Sequence, residues 1–282
     1  MGRHIGERSL QPLHNKGIVY GVPDFSLGFG LCDNCVFSRQ SWVSISSCTT
    51  ITKGILELVH SDVFGPLLVS SLGGSQYYVP FIDDYSRKVR LYFLRRKSEV
   101  FRKFKEFKAL VENQMSKKIK VLRTDNGEEL CGKEFDQFYR KRGITRQNTT
   151  PYTPKKNRVE ERTEKTLMDK ARSMLSDANL AQGLWEEAID IVRYLVNRYP
   201  SSTLVDKTLH EVYADNRPSL VHIKVFGCDD CVHVPKEKKS KLDNKVEKCI
   251  FIGYKDGVKG YKLWNSMSRK FFYGRDVIFR EV

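Results

Sequence analysis

Three carboxylates stand where they could hold divalent cations: Asp62 in LELVHSDVFGP, Asp125 in VLRTDNGEEL and Glu161 in TPYTPKKNRVEER. Thirty-five residues, 126–160, lie between the second and the third. Magnesium and manganese prefer hard oxygen ligands. Two such ions held a few ångströms apart can activate an attacking oxygen and stabilise a leaving one in phosphoryl transfer. Asp83 and Asp84 in FIDDYSR compete for the same role; one is expected to accept backbone hydrogen bonds at a strand end and the other to be solvated. Lys165 follows Glu161 by four residues and so shares its helical face. It reads either as a contact to a bound polyanion or as an exposed Glu–Lys pair worth ~0.3–0.5 kcal/mol. Arg162, Lys155 and Lys156 flank the same loop and could neutralise phosphates. Tyr152 could lie along a nucleic-acid strand or pack against its own domain.

These carboxylates need a scaffold that brings distant segments together. The runs ILELVHSDV, SQYYVPFIDDYS and KVRLYFLRR read as strands separated by turn residues Gly73, Gly74, Ser86 and Arg87. Val100, Phe101, Phe104, Phe107, Val111 and Met115 recur at helical spacing. KIKVLRTD is a further strand, with Ile119, Val121 and Asp125 on one face. GKEFDQFYRKRG is a short helix stopped at Gly143, and ITRQNT a fifth strand. Asp62 and Asp125 thus each close an apolar strand, and Asn126-Gly127 lets the chain turn sharply after Asp125. Glu161 opens the next helix, VEERTEKTLMDKARSML, where the helix dipole favours a carboxylate. A second helix, LWEEAIDIVRYLVNRYP, is expected to stop at Pro200. From about Val225, CVHVP, KCIFIGY, GYKLWN and RKFFYGRDVIF are short strands forming a small all-β unit.

Length and composition bound the partners. A chain of 282 residues suits one large and one or two small domains. Its formal charge of +15 suits a polyanion, for which counterion release drives binding. No run of about 18 apolar residues suggests a membrane span. MGRHIGERSL lacks an apolar secretory core, so nucleus or cytoplasm is expected. Seven cysteines, an odd number, point to a reducing compartment and not to a disulfide framework.

The motifs IDDYSR, LRTDNG, PYTP with NRVEER, FGC, VHVPKEKKSKLD, CIFIGY and GRDV resemble the integrase region of copia-type LTR-retrotransposon Pol polyproteins. The resemblance runs from about residue 4 to the C-terminus. It implies an α/β fold whose RNase H-like core is a mixed five-stranded sheet with helices. A truncated zinc-binding segment precedes this core and a small SH3-like β-barrel follows it. The implied domains are 1–40 (zinc segment), 41–53 (linker), 54–220 (catalytic core) and 221–282 (barrel). The resemblance makes Asp62, Asp125 and Glu161 the catalytic triad, with Mg2+ or Mn2+ as cofactor. It implies 3′-end processing and strand transfer, with element DNA ends and target DNA as partners and a homo-oligomer as the active form.

The alternatives are a catalytically impaired remnant that only binds nucleic acid and an RNase H-like nuclease. Two departures bear on them. Glu128 stands where the family pattern has the second glycine of DNGGE, and Arg158 where it has a glycine before the glutamate. The family's His-His-Cys-Cys zinc module is matched by His4, Cys32 and Cys35; its first histidine falls before Met1, and His14 either substitutes as a fourth ligand or, the reading preferred, lies on a helix in ERSLQPLHNKG without metal. Cys228 and Cys231 form another CxxC, expected to be buried thiols without metal.

Overall fold

The computed structural model describes residues 52–125, 133–148, 158–199, 204, 208–214, 217–233, 246–254, 257, 260–275 and 277–279. Strands β1 (Leu58–Ser61), β2 (Tyr77–Asp83) and β3 (Val89–Leu94) form an antiparallel meander. Helix α1 (Val100–Met115) then carries the chain back to β4 (Val121–Thr124), which pairs parallel with β1. Helix α2 (Lys133–Arg142) leads to β5 (Thr145–Asn148), parallel with β4. The sheet order is β3-β2-β1-β4-β5. This is the mixed five-stranded RNase H-like arrangement the sequence implied, with β1 at the centre.

Every residue of β1 is buried, because helices cover both faces of the sheet. On one side α1 presents Val100, Phe104, Phe107 and Val111 at helical spacing. These meet Val59, Phe81 and Leu122 from the sheet and Phe135 and Tyr139 from α2. Phe81 stacks on Phe107 with centroids 4.4 Å apart; burying such a side chain stabilises by about 2–3 kcal/mol. Ile119 belongs to this core with Leu122 and does not share the Val121 and Asp125 face expected for it, because regular strand alternation begins only at Val121. Gly143, at φ +66°, ends α2 in the left-handed cap that glycine favours.

The other face is covered by α3 (Arg158–Asp177) and α4 (Trp185–Val196). Most of the circumference of α4 is buried: Trp185, Ala188, Ile189, Ile191, Val192, Tyr194 and Leu195. The helix is enclosed because it packs against both β3 and a second sheet. That second sheet is antiparallel, in the order β10-β6-β7-β8-β9. Its strands are β6 (Asp229–His233), β7 (Val246–Tyr254), β8 (Tyr261–Asn265), β9 (Lys270–Gly274) and β10 (Val277–Phe279). Phe251, Ile252 and Leu263 from it share one hydrophobic cluster with α3 and α4. Gly227, at φ +80°, sits against Ala178 at the end of α3, where a side chain would collide.

Two helical expectations change. α4 ends at Val196, before Pro200, because the buried Asn197 commits its side chain to the edge of the sheet. Its Oδ1 accepts from Val89 N at 2.9 Å and its Nδ2 donates to Val89 O at 2.8 Å. A short helix, α5 (Leu209–Ala214), was not read from the sequence. The hydroxyl of Thr208 caps it by accepting from Glu211 N at 3.0 Å, and the Thr208-x-x-Glu211 pattern is a capping signal that marks it.

Candidate functional site

The pairing of β1 with β4 decides where Asp62 and Asp125 go. The parallel register sets Ser61 beside Thr124, so the next residue of each strand leaves the sheet at the same edge. The Asp125 charge bears directly on Asp62, whose Oδ1 accepts from Val63 N at 2.7 Å. Burial, then the Asp125 charge and that of Glu160, together push the Asp62 carboxyl up to about 7. Two carboxylates this close cannot both ionise comfortably without a cation between them.

Helix α3 lies over this pair. Its inward face carries Glu160, Leu167, Ala171 and Met174, all buried. Glu161, one residue on, is exposed, as are Arg162 and Lys165. Glu164 is half-buried on the inward side, and its carboxyl is pushed up to about 8 by burial and then by the charges of Asp62, Glu160, Glu161 and Asp125. The helix therefore brings Glu164 under the charges of the aspartate pair, while Glu161 is exposed beside it. Among the described residues no three His, Cys, Asp or Glu side chains are already gathered around one metal position. The donor set nonetheless fits a hard divalent cation: Asp62 and Asp125 leave paired strands at the same edge, where a cation would relieve their repulsion, and a further buried oxygen, Glu164 Oε1, has no partner.

A buried ionic chain anchors the start of α3. His60 on β1 places Nδ1 2.8 Å from Glu160 Oε1 and Nε2 2.9 Å from Asp84 Oδ1, with all three side chains almost fully buried. Burial lowers the His60 pKa, but hydrogen bonds and charge from the two carboxylates outweigh it and hold the imidazole above its ordinary value. Protonated, it donates to both. Asp84 also accepts from Thr52 N at 2.8 Å and pairs with Arg87 at 3.2 Å. Burial raises its carboxyl, yet the bonds from His60 and Thr52 and the Arg87 charge hold it below the usual range.

The expectation of one bonded and one solvated aspartate in FIDDYSR thus needs correcting for Asp84, which is buried because His60 and Arg87 neutralise it. Asp83 behaves as expected. It accepts from Leu56 N at 2.7 Å, Ser86 N at 2.8 Å and Ser86 Oγ at 2.6 Å, closing the strand end.

Sequence reasoning missed His60, Glu160 and Glu164. The signal was available in the spacing Glu160, Glu164, Leu167, Ala171 and Met174, which continues the apolar stripe of α3 toward its N-terminus. Arg158 begins α3. Tyr152, Lys155, Lys156, Glu128, His4, His14, Cys32 and Cys35 lie outside the described residues. Cys228 is a half-buried thiol packed on the α4 core, and Cys231 lies on β6.

Comparison with known proteins accords with this architecture. Residues 56–154 match the integrase core domain family, and residues 228–282 match the retroviral polymerase SH3-like domain family. Over 99% of its length the chain is 42% identical to the retrovirus-related Pol polyprotein from transposon TNT 1-94 of Nicotiana tabacum, covering 21% of that protein. It is 30% identical over 98% of its length to the polyprotein from transposon RE2 of Arabidopsis thaliana, covering 19% of it. The chain spans about a fifth of the length of these curated relatives.

Among solved structures it is similar to a simian T-cell lymphotropic virus intasome in complex with PP2A regulatory subunit B56 gamma. That match has a TM-score of 0.48 and 15% identity, covering 83% of this chain and 82% of that one. It is also similar to the HTLV-2 integrase catalytic core domain in complex with magnesium, with a TM-score of 0.42 and 18% identity, covering 56% of this chain and 95% of that one. The core with two strand-end aspartates and the SH3-like unit behind it define a retroviral-type integrase architecture. The chain carries an integrase core domain followed by a retroviral polymerase SH3-like domain, and over nearly its whole length it is similar to the retrovirus-related Pol polyproteins of plant transposons.

Proposed function

We propose that this chain is the DNA-joining part of a retrotransposon Pol polyprotein, trimming the 3′ ends of element DNA and transferring them into target DNA. The observation that carries this reading is the Asp62–Asp125 pair, set side by side at the edge of the central parallel strands, inside the matched integrase core. Asp62 and Asp125, with Glu161 from α3, would hold Mg2+ or Mn2+. Such ions supply Lewis-acid activation of water or a 3′ hydroxyl and neutralise charge at the leaving oxygen. The protein residues bind and orient. Arg162 and Lys165 lie exposed on α3, and Lys155, Lys156 and Tyr152 precede it, where they take up the phosphate backbone in a sequence-independent way. The net charge of +15 supports DNA as the partner. No described helix is long and apolar enough to cross a membrane. The active form in this reading is a homo-oligomer acting on element and target DNA.

A second reading, a nucleic-acid-binding remnant without turnover, is favoured by Glu128 and Arg158, which replace the glycines of the family pattern. A duplex with one labelled 3′ end, incubated with the natural chain and Mg2+ or Mn2+, separates the readings by product length. Products longer than the substrate are joined strands and support the integrase. Shorter products alone indicate a nuclease, and retention of DNA without any product indicates the remnant.

A further inference from the structure

We infer that Glu164, in addition to Glu161, ligates the divalent cation held by Asp62 and Asp125. The inference rests on the reading of those two aspartates as the cation-binding pair. Register supports it first. Glu160 sits over His60. One helical turn from Glu160 to Glu164 advances about 6 Å, and two strand residues from His60 to Asp62 advance about 6.6 Å. Glu164 therefore comes over Asp62, in keeping with Asp62 being the strongest charge it meets.

Unpartnered atoms support it second. Tyr78 is fully buried, and its hydroxyl has no hydrogen-bond partner. The charges of Glu164 and then Asp62 are the ones that act on that hydroxyl. Glu164 Oε1 is likewise buried without a partner, and so is Oε2 of Glu160, a side chain 3% exposed. Orphaned buried oxygens of this kind are costly. Here they lie about two carboxylates, Asp62 and Asp125, that leave β1 and β4 at the same sheet edge, so the chemistry they lack is that of a cation. Glu161, exposed on the neighbouring helical position, approaches from the rim; Glu164 approaches from beneath, on the core side.

The test titrates Mn2+ calorimetrically into the full chain, cleared of metal with chelator, for the natural protein and for Asp125→Asn, Glu161→Gln and Glu164→Gln. Glu164→Gln should weaken Mn2+ binding at least about tenfold. Its urea stability should equal or exceed that of the natural chain, since an isosteric amide replaces an acid held in a hostile site. Binding by Glu164→Gln within about twofold of the natural chain, alongside loss of binding in Asp125→Asn, would overturn the role of Glu164 and leave the aspartate pair standing. Natural affinity in Asp125→Asn would sink the pair itself and the inference with it.

Discussion

Replacing His60 by leucine tests whether the buried ionic chain holds the start of α3 on β1. Leucine fills much of the imidazole volume and donates nothing. Asp84 would keep Thr52 N at 2.8 Å and Arg87 at 3.2 Å, so its charge remains partnered. Glu160 would not: its Oε1 loses the 2.8 Å contact to His60, and its buried Oε2 has no partner already. Stranding a buried charge costs about 3–5 kcal/mol. The expected loss in urea unfolding at pH 7 is therefore about 3 kcal/mol.

In the His60→Leu, Glu160→Leu double variant the stranded charge is gone, and a coupling of about 2 kcal/mol should appear. The pH dependence has a definite sign. Because the His60 pKa is raised above 6.5, the contribution of the imidazolium is complete below that pH and fades as pH rises through the raised value. His60→Leu should lose that slope. A loss below about 0.5 kcal/mol, or strict additivity in the double variant, would refute the reasoning.

Two further outcomes follow from the packing around α4. Lys262 Nζ lies 3.1 Å from Glu187 Oε1, and that glutamate is almost fully buried, its pKa raised by burial against the pull of Lys262. Lys262→Met should destabilise by about 2 kcal/mol in urea at pH 7, and adding Glu187→Gln should restore most of it. Asn197→Ala removes two hydrogen bonds to Val89, leaving buried backbone groups at the β3 edge unpaired. It should cost about 2 kcal/mol and speed hydrogen exchange at the Val89 amide; unchanged protection there would contradict the account of where α4 ends.

Much of the fold was legible because local pattern and tertiary context agree. Phe104, Phe107 and Val111 at helical spacing, and Gly143 after α2, specify elements that packing then confirms. The strand-end positions of Asp62 and Asp125 followed from the same logic, since an apolar run that stops at a carboxylate reads as a strand meeting an edge.

What escaped depended on contacts between distant segments. Nothing local marks Asp84 as buried, because His60, 24 residues earlier, and Arg87 neutralise it only once the sheet forms. The end of α4 was misplaced for the same reason: Asn197 answers to Val89, 108 residues away. On α3 the choice of inward carboxylate turns on a helical rotation of about 100° per residue. Glu160 and Glu164 fall on the stripe that continues Leu167, whereas Glu161 and Lys165 fall beside it.

The most direct test of the site is a comparison of the natural chain with Asp125→Asn in joining a labelled 3′ end to target DNA in Mg2+ or Mn2+. The natural chain should yield joined product. Asp125→Asn should yield none while still retaining the duplex, because it keeps the fold and the exposed basic face of α3. Joining by Asp125→Asn at the natural level would contradict the assignment of the Asp62–Asp125 pair as the reactive centre.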